Sequence, residues 1–201
     1  MKILVCTLTG QHIPNLLSVH HYAPDKLILL ETPDMKRDNA GINFLAALAK
    51  SVRVYPDDSI VPIPDEDSLQ AMEGTLAPIY DKYASEKWII NLTGGTKPIS
   101  IGIYDFFKTK AAQLVYVNNR NPNCFLNLIN GEVDTTNYKP SLEEFLEGYG
   151  YEYAKKPVKI RDAEERAEHL FGLAEHLTKI ADAQDLLQLN DEERRSLREG
   201  R

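Results

Sequence analysis

Two threonines and a lysine surround a pair of glycines in Thr93-Gly94-Gly95-Thr96-Lys97, with Asn91-Leu92 just ahead of them. The cluster offers hydroxyl donors and one positive charge beside backbone that can adopt conformations closed to residues with a Cβ, so a ligand can approach the chain closely. The chemistry this suits is the holding of an anion, most simply a phosphate. Trp88-Ile89-Ile90 reads as a short buried strand, and residues 98–108 read as a helix with Pro98 in its first turn. The loop is therefore a strand-loop-helix junction, where the free N–H groups and partial positive charge of the helix N-terminus add to the anion site. Its spacing is not that of a Walker A loop, because Lys97 follows Gly-Gly-Thr directly and precedes Pro98. Nor is it a dinucleotide fingerprint, since the third glycine is absent. A Gly-Gly loop of this kind also serves, in other proteins, only to turn the chain.

The elements that must position this loop follow from the apolar pattern. Residues 3–8 form a nearly continuous apolar run of the type found in a central parallel strand. The loop Thr9-Gly10-Gln11-His12-Ile13-Pro14-Asn15 then leads to a helix over 16–22. A second strand is expected over 27–31, a polar loop over 32–37, a helix over 39–50 and a third strand over 51–55. A long helix over 65–84 follows, with Asp65 as a candidate N-cap and Pro78 expected to bend or interrupt it. The fourth strand covers 87–92, its helix 99–108, and a fifth strand 113–118. Beyond the turn cluster at 119–123, segments 124–129 and 132–136 around Asn130-Gly131 read as an antiparallel extension. This alternation predicts an α/β fold, a doubly wound Rossmann-like and mostly parallel sheet with an antiparallel hairpin, whose ligand site lies outside the carboxyl ends of the strands. The loops after strands one, two and four all fall at that edge. After Pro140 the sequence becomes charged and helical, with a short helix over 142–149, a helix over 161–180 and another from Asn190. We divide the chain into a ligand-sensing domain, 1–150, and a helical linker or the start of a further domain, 151–201.

Composition bounds the function classes. The chain has 201 residues, is 43% hydrophobic and 26% charged, and carries a formal net charge of −7. That balance argues against broad nucleic-acid binding, so no direct contact with DNA is expected of this domain, although a small positive pocket for a compact anion remains compatible with it. No apolar run approaches the ~20 residues of a membrane span, and a signal-peptide pattern is lacking, so a cytoplasmic protein is expected. Cys6 and Cys124 both fall in strands, as buried thiols rather than a disulfide or metal site. No cofactor or metal is called for.

Gln11-x-Ile13-Pro14-Asn15 after the first strand, paired with Asn91-Leu92-Thr93-Gly94-Gly95-Thr96-Lys97 after the fourth, resembles the CARF domains, the CRISPR-associated Rossmann-fold sensors. In particular it resembles the branch whose members carry a nuclease behind the sensor. The resemblance covers about residues 1–150. It implies a sensor of cyclic oligoadenylate in type III CRISPR immunity, a homodimer that binds the ring across its two-fold axis. Size and symmetry favour cyclic tetra-adenylate, with cyclic hexa-adenylate as the other ring. A ring of repeated adenylates is itself symmetric, so two copies of one threonine-lysine loop would meet it from both sides.

On that match Thr93, Gly94, Gly95, Thr96 and Lys97 hold phosphates and riboses. The loop of Thr9, Gly10, Gln11, Ile13, Pro14 and Asn15 lines the base or ribose side, and Thr32, Met35 and Arg37 are placed to close over an adenine. Pro14 and Asn15 also suit plain helix initiation, Met35 a core contact and Arg37 a solvated charge. The effector is where the sequence departs from the family: after residue 150 there is no Asp…Glu-x-Lys nuclease constellation and no Arg-x4-6-His ribonuclease signature, and His169 and His176 lack a matching acid. Two other functions compete with sensing. One is a ring nuclease, in which a ribose 2′-OH attacks the neighbouring phosphate, Thr96 and Lys97 stabilise the charge, and His12 is the one histidine near the pocket. The other is an unrelated Rossmann-like nucleotide enzyme.

Overall fold

A computed structural model of the chain describes residues 1–118, 121 and 123–151. They lie within one compact unit, Met1–Tyr153. The helices expected over 161–180 and from Asn190, and with them the linker 151–201, fall outside the described residues. Five parallel strands, β1 (Lys2–Thr7), β2 (Lys26–Glu31), β3 (Ile60–Pro62), β4 (Lys87–Asn91) and β5 (Ala112–Val117), continue into an antiparallel hairpin of β6 (Cys124–Asn127) and β7 (Val133–Thr135). The spatial order is β3-β2-β1-β4-β5-β6-β7. Strand order therefore reverses between β1 and β4, the switch point at which ligands bind in open α/β sheets.

Alternation along the strands covers both faces. Leu4, Cys6, Leu27, Leu29 and Ile89 point to one side, where they meet Leu16 and Val19 of α1 (Ile13–Tyr22) and Phe44 and Leu48 of α3 (Ala40–Ser51). Ile3, Val5, Ile28, Leu30, Trp88 and Ile90 point to the other, against Met72 and Leu76 of α4 (Leu69–Lys82) and Ile99, Ile103 and Phe107 of α5 (Lys97–Phe107). Burial of a side chain of this size contributes about 1.5–3 kcal/mol relative to exposure, so the two cores hold the helices to the sheet. Cys6 lies in the first core, where burial pushes its thiol up to about 12, an inert sulfur.

Three expectations are corrected. The third strand is not 51–55: α3 runs to Ser51, Val54 is 77% exposed, and the edge strand is Ile60–Pro62, paired with β2 through Leu29 and Ile60. The alternating Val-Arg-Val-Tyr pattern is strand-like locally, but the chain spends it on the return from α3, and Pro62 is tolerated because β3 is an edge. Residues 32–37 are not a plain loop, because Pro33–Arg37 forms the short helix α2, with Thr32 accepting the Met35 N–H at 3.3 Å and Pro33 in its first turn. The long helix begins at Leu69 rather than 65. Its cap is Ser68, whose hydroxyl accepts the Ala71 N–H at 3.1 Å, while Asp65 closes a turn by accepting the Asp67 N–H at 3.0 Å. That helix runs through Pro78 to Lys82 without interruption.

The last described helix, α6 (Leu142–Gly148), packs on α1 and α3 through Glu144, which is 3% exposed. His20 Nε2 lies 2.7 Å from Glu144 Oε1, Ser51 Oγ donates to the same oxygen at 2.5 Å, and the Tyr138 hydroxyl donates to Oε2. Burial pushes this carboxyl up, but the hydrogen bonds from His20, Ser51 and Tyr138 outweigh it and hold it below its usual range. The group therefore contributes stability above the ordinary glutamate value near 4.5 and loses it as pH falls below that value. Glu144→Ala should lower stability by about 3 kcal/mol or more, since several buried donors lose their acceptor. The shift should be read as a lower denaturant midpoint at unchanged slope. Glu144→Gln should flatten the acid limb of the melting temperature against pH.

Candidate ligand-binding site

The site is built on a pair of buried amides. Asn91, the last residue of β4, donates through Nδ2 to Asn15 Oδ1 at 3.0 Å and accepts through Oδ1 from the Thr93 N–H at 3.0 Å and the Thr93 hydroxyl at 2.6 Å. Asn15, in the first turn of α1, donates to the Thr7 carbonyl at 2.9 Å, and Thr93 Oγ1 accepts from the Val117 N–H at 2.7 Å. The network joins the carboxyl ends of β1, β4 and β5 to the start of α1. Asn15 and Thr93, expected against ligand, thus have their polar groups engaged within the protein and brace the site from behind.

The two glycines set the loop against β1. A Cβ at Gly94 would come within 2.9 Å of the Thr7 carbonyl oxygen, a backbone atom that cannot yield. Gly95 has φ +96°, and a Cβ there would also press on Ile99 at 3.1 Å. With the loop so placed, a cavity of about 290 Å³ opens at the carboxyl ends of β1, β2 and β4. Leu8, Thr9 and Gly10 come from the first loop, Thr32, Asp34 and Met35 from the second, Glu66 from the segment before α4, and Gly95, Thr96 and Ile99 from the glycine loop and α5.

Of the residues expected from sequence, Thr9, Gly10, Thr32, Met35, Gly95 and Thr96 meet in this cavity. Lys97 is exposed at the first position of α5, without an ion pair among the described residues. Gln11 is exposed on the first loop but does not line the cavity, and Ile13 and Pro14 open α1, with Ile13 against the core. Arg37 is exposed and pairs with Asp34 at 2.8 Å, which places it at the rim through that partner. His12 does not line the cavity. It is 2% exposed, its ring stacked on Phe44 at 5.8 Å and edge-on to Tyr149 at 4.4 Å, and burial lowers its pKa so that it stays neutral.

Sequence reasoning missed Asn91 as a brace, and Leu8, Asp34, Glu66 and Ile99 as lining. Leu8 and Ile99 were readable as the ends of elements beside the motifs. Glu66 had no local signal, because only the path of the chain from β3 to α4 brings it there.

The walls differ in chemistry. On one, the Thr96 hydroxyl makes no capping bond, and the N–H groups of Lys97 and Ile99 in the first turn of α5 have no intrahelical acceptor, while Pro98 has none to offer. Together with the Lys97 charge this wall suits oxyanions. On the others, half-buried Met35 supplies apolar surface over a floor closed by buried Leu8 and Ile99, and the Asp34 and Glu66 carboxylates accept from amino or hydroxyl donors. Among the described residues no cluster of three or more His, Cys, Asp or Glu is placed to hold a metal ion.

Asn91→Ala should leave the Asn15 carbonyl and both Thr93 donors unpartnered, at a cost of about 1–3 kcal/mol for each group that stays dry. A denaturant melt should show the loss, and rapid amide exchange at Thr93 and Val117 should localise it. A variant as stable as the parent would contradict the bracing role.

The sequence model of the Card1 CARF domain matches residues 3–145. Among solved structures, Can2 from Sulfobacillus thermosulfidooxidans in complex with cyclic tetra-adenylate matches with a TM-score of 0.65 at 23% identity, over 89% of this chain and 50% of that one. A type III CRISPR defence DNA nuclease activated by cyclic oligoadenylate matches with a TM-score of 0.60 at 20% identity, over 94% of this chain and 29% of that one. Protein VC1899 from Vibrio cholerae gives 0.61 at 13% identity, over 74% and 39%. The chain thus spans half or less of the length of these structures. No curated protein matches it. The structural likenesses bear on the fold, and the family match takes in the whole described sheet with its three pocket-forming loops: this chain belongs to the Card1 CARF domain family.

Proposed function

We propose that the chain is the ligand-sensing part of a type III CRISPR ancillary effector, which binds cyclic tetra-adenylate and controls an attached effector. The observation that carries this reading is the cavity itself, in which Thr96 and the α5 N-terminus, with the exposed charge of Lys97 beside them, face a wall that carries the Met35 side chain and two carboxylate acceptors. An adenylate fits that polarity. Its phosphate would lie at α5, its base against Met35, and its amino or ribose donors on Asp34 and Glu66. The carboxylates would repel phosphate, so the orientation is fixed by charge. Family membership and the cyclic tetra-adenylate in the Can2 structure support the same ligand. Cyclic hexa-adenylate is the competing ring.

At about 290 Å³ the cavity takes one nucleotide-sized unit rather than a four-membered ring. The remainder of the ring needs a second surface, which a two-fold partner supplies. Ile101 and Tyr104 on α5 and Leu69 on α4 are exposed apolar side chains on the helices flanking the oxyanion wall, and they suit a homodimer face there. The net charge of −7 speaks for DNA contact by the effector rather than by this domain, and a nucleotide messenger suits a cytoplasmic protein. With His12 packed between Phe44 and Tyr149, no histidine lines the cavity, so sensing is favoured over ring cleavage.

Calorimetry against cyclic tetra-adenylate, cyclic hexa-adenylate and ATP tests the reading. Tight binding of one ring per two chains is expected, and a ligand-bound monomer by light scattering would contradict it. Lys97→Ala and Thr96→Ala should each weaken binding about ten- to hundredfold without lowering the melting temperature, the worth of one charge-assisted hydrogen bond. Incubated with cyclic tetra-adenylate, the chain should leave the ring intact. Linear products lost in a His12→Ala variant that still binds would revive the cleavage reading.

A further inference from the structure

The first-strand loop has a tether that the ligand reading does not use. Gly10 lines the cavity, and its carbonyl accepts the hydroxyl of Tyr149, the residue that caps α6, at 2.8 Å. Nothing lies within 4 Å of where a Gly10 Cβ would be, so the loop is not wedged in place. Over residues 9–11, among the described residues, the other side-chain bonds are those between Thr9 Oγ1 and the Gln11 backbone. The Tyr149 ring, in contrast, is firmly seated. It packs edge-on to buried His12 at 4.4 Å and against Phe145 at 5.0 Å, and a Cβ at Gly148 would meet the His12 ring at 3.7 Å.

The helix it caps is held at its other end by Glu144, through His20 of α1 and Ser51 of α3. Its exit is pinned as well. Gly150, at φ +78°, has no room for a Cβ, which would come within 2.6 Å of Asn43 of α3, and the Gly150 and Tyr151 N–H groups close back onto the Glu147 and Leu146 carbonyls. α6 is thus a short rigid piece with one end bolted to the core and the other bonded to the wall of the cavity, and the chain leaves it within two residues of that bond.

We infer that α6 reads the state of the cavity through the Tyr149 hydroxyl and the Gly10 carbonyl, and that this bond couples ligand occupancy to the chain beyond residue 151. The inference rests on the sensing function proposed above. A ligand that contacts Gly10 has two outcomes available. A carbonyl displacement of about 0.8 Å takes the bond beyond hydrogen-bonding distance, or the C-terminal end of α6 follows the carbonyl. In either case the ends of α6 feel the ligand, although no α6 residue lines the cavity. Tyr149 is in this sense a positioning residue: it sets the Gly10 wall, and by linkage the ligand resets Tyr149.

The test is amide hydrogen exchange over residues 142–151 of the full 201-residue chain, with and without saturating cyclic tetra-adenylate, in the parent, Tyr149→Phe and Tyr138→Phe. Tyr149→Phe keeps the ring contacts and removes only the hydroxyl. Tyr138→Phe removes a hydroxyl that holds α6 through Glu144 but does not touch the cavity. Ligand should change α6 exchange severalfold in the parent and in Tyr138→Phe, and leave it unchanged in Tyr149→Phe, whose affinity stays within about fivefold of the parent because the hydroxyl bonds protein rather than ligand. Binding without any α6 response in the parent overturns the inference and leaves the sensing function standing. So does an equal response in Tyr149→Phe, or its equal loss in Tyr138→Phe, which would mark a general loosening of the helix. Absence of binding in the parent by calorimetry overturns the sensing function, and the inference with it.

Discussion

The Asn91 side chain is the interaction on which the rest of the site depends. A buried primary amide must find partners for both its donor and its acceptor or cost several kcal/mol. Asn91 finds them in Asn15 and Thr93, so three structural elements are locked by one residue: the end of β4, the start of α1 and the entry to the glycine loop. Because Thr93 also takes the Val117 N–H, the network extends to β5. A loop whose first turn is tethered in this way has little freedom left. Gly94 and Gly95 then do what other residues could not, bringing the chain against the Thr7 carbonyl and turning it at positive φ into α5.

The cavity follows from that constraint and from strand order. β1, β2 and β4 are parallel neighbours, so their following loops emerge at one edge, and the reversal of strand order between β1 and β4 separates the helices that would otherwise cover it. α5 then presents its unpaired first-turn N–H groups to the gap. The opposing carboxylates give the cavity a direction, since an anionic ligand can enter with its charge toward α5 only. A symmetric cavity of the same volume would hold a phosphate less selectively.

α6 connects this site to the rest of the chain in a different way. Its buried carboxylate is satisfied from α1, α3 and the segment before it, and its cap reaches the first-strand loop. The histidine of that loop, His12, is the filler between these parts. Its ring occupies apolar space between Phe44 and Tyr149, where protonation is disfavoured.

Apolar runs and loop chemistry made the sheet, its two covered faces, the antiparallel hairpin and the glycine loop readable from the sequence, because each is a local pattern: continuous apolar runs of strand length, Pro in a first turn, Gly where a Cβ does not fit. The placement of Thr9, Gly10, Thr32, Met35, Gly95 and Thr96 along one edge followed from parallel strand topology alone. Direction of side chains did not. Asn15 and Thr93 look like ligand contacts in a motif, and only the neighbouring strands show that their polar atoms bond each other's elements. His12 looks available in a loop, and only its packing against Phe44 of α3 and the Tyr149 cap of α6 buries it. The strand-like 51–55 lost its place to Ile60–Pro62 because β2 pairs with whichever segment the return from α3 brings alongside, and Glu66 reached the cavity by the same long-range route. Local sequence determines which element forms and where a loop can turn, whereas burial and hydrogen-bond satisfaction, which depend on residues far away in the chain, decide which side chains are left for a ligand.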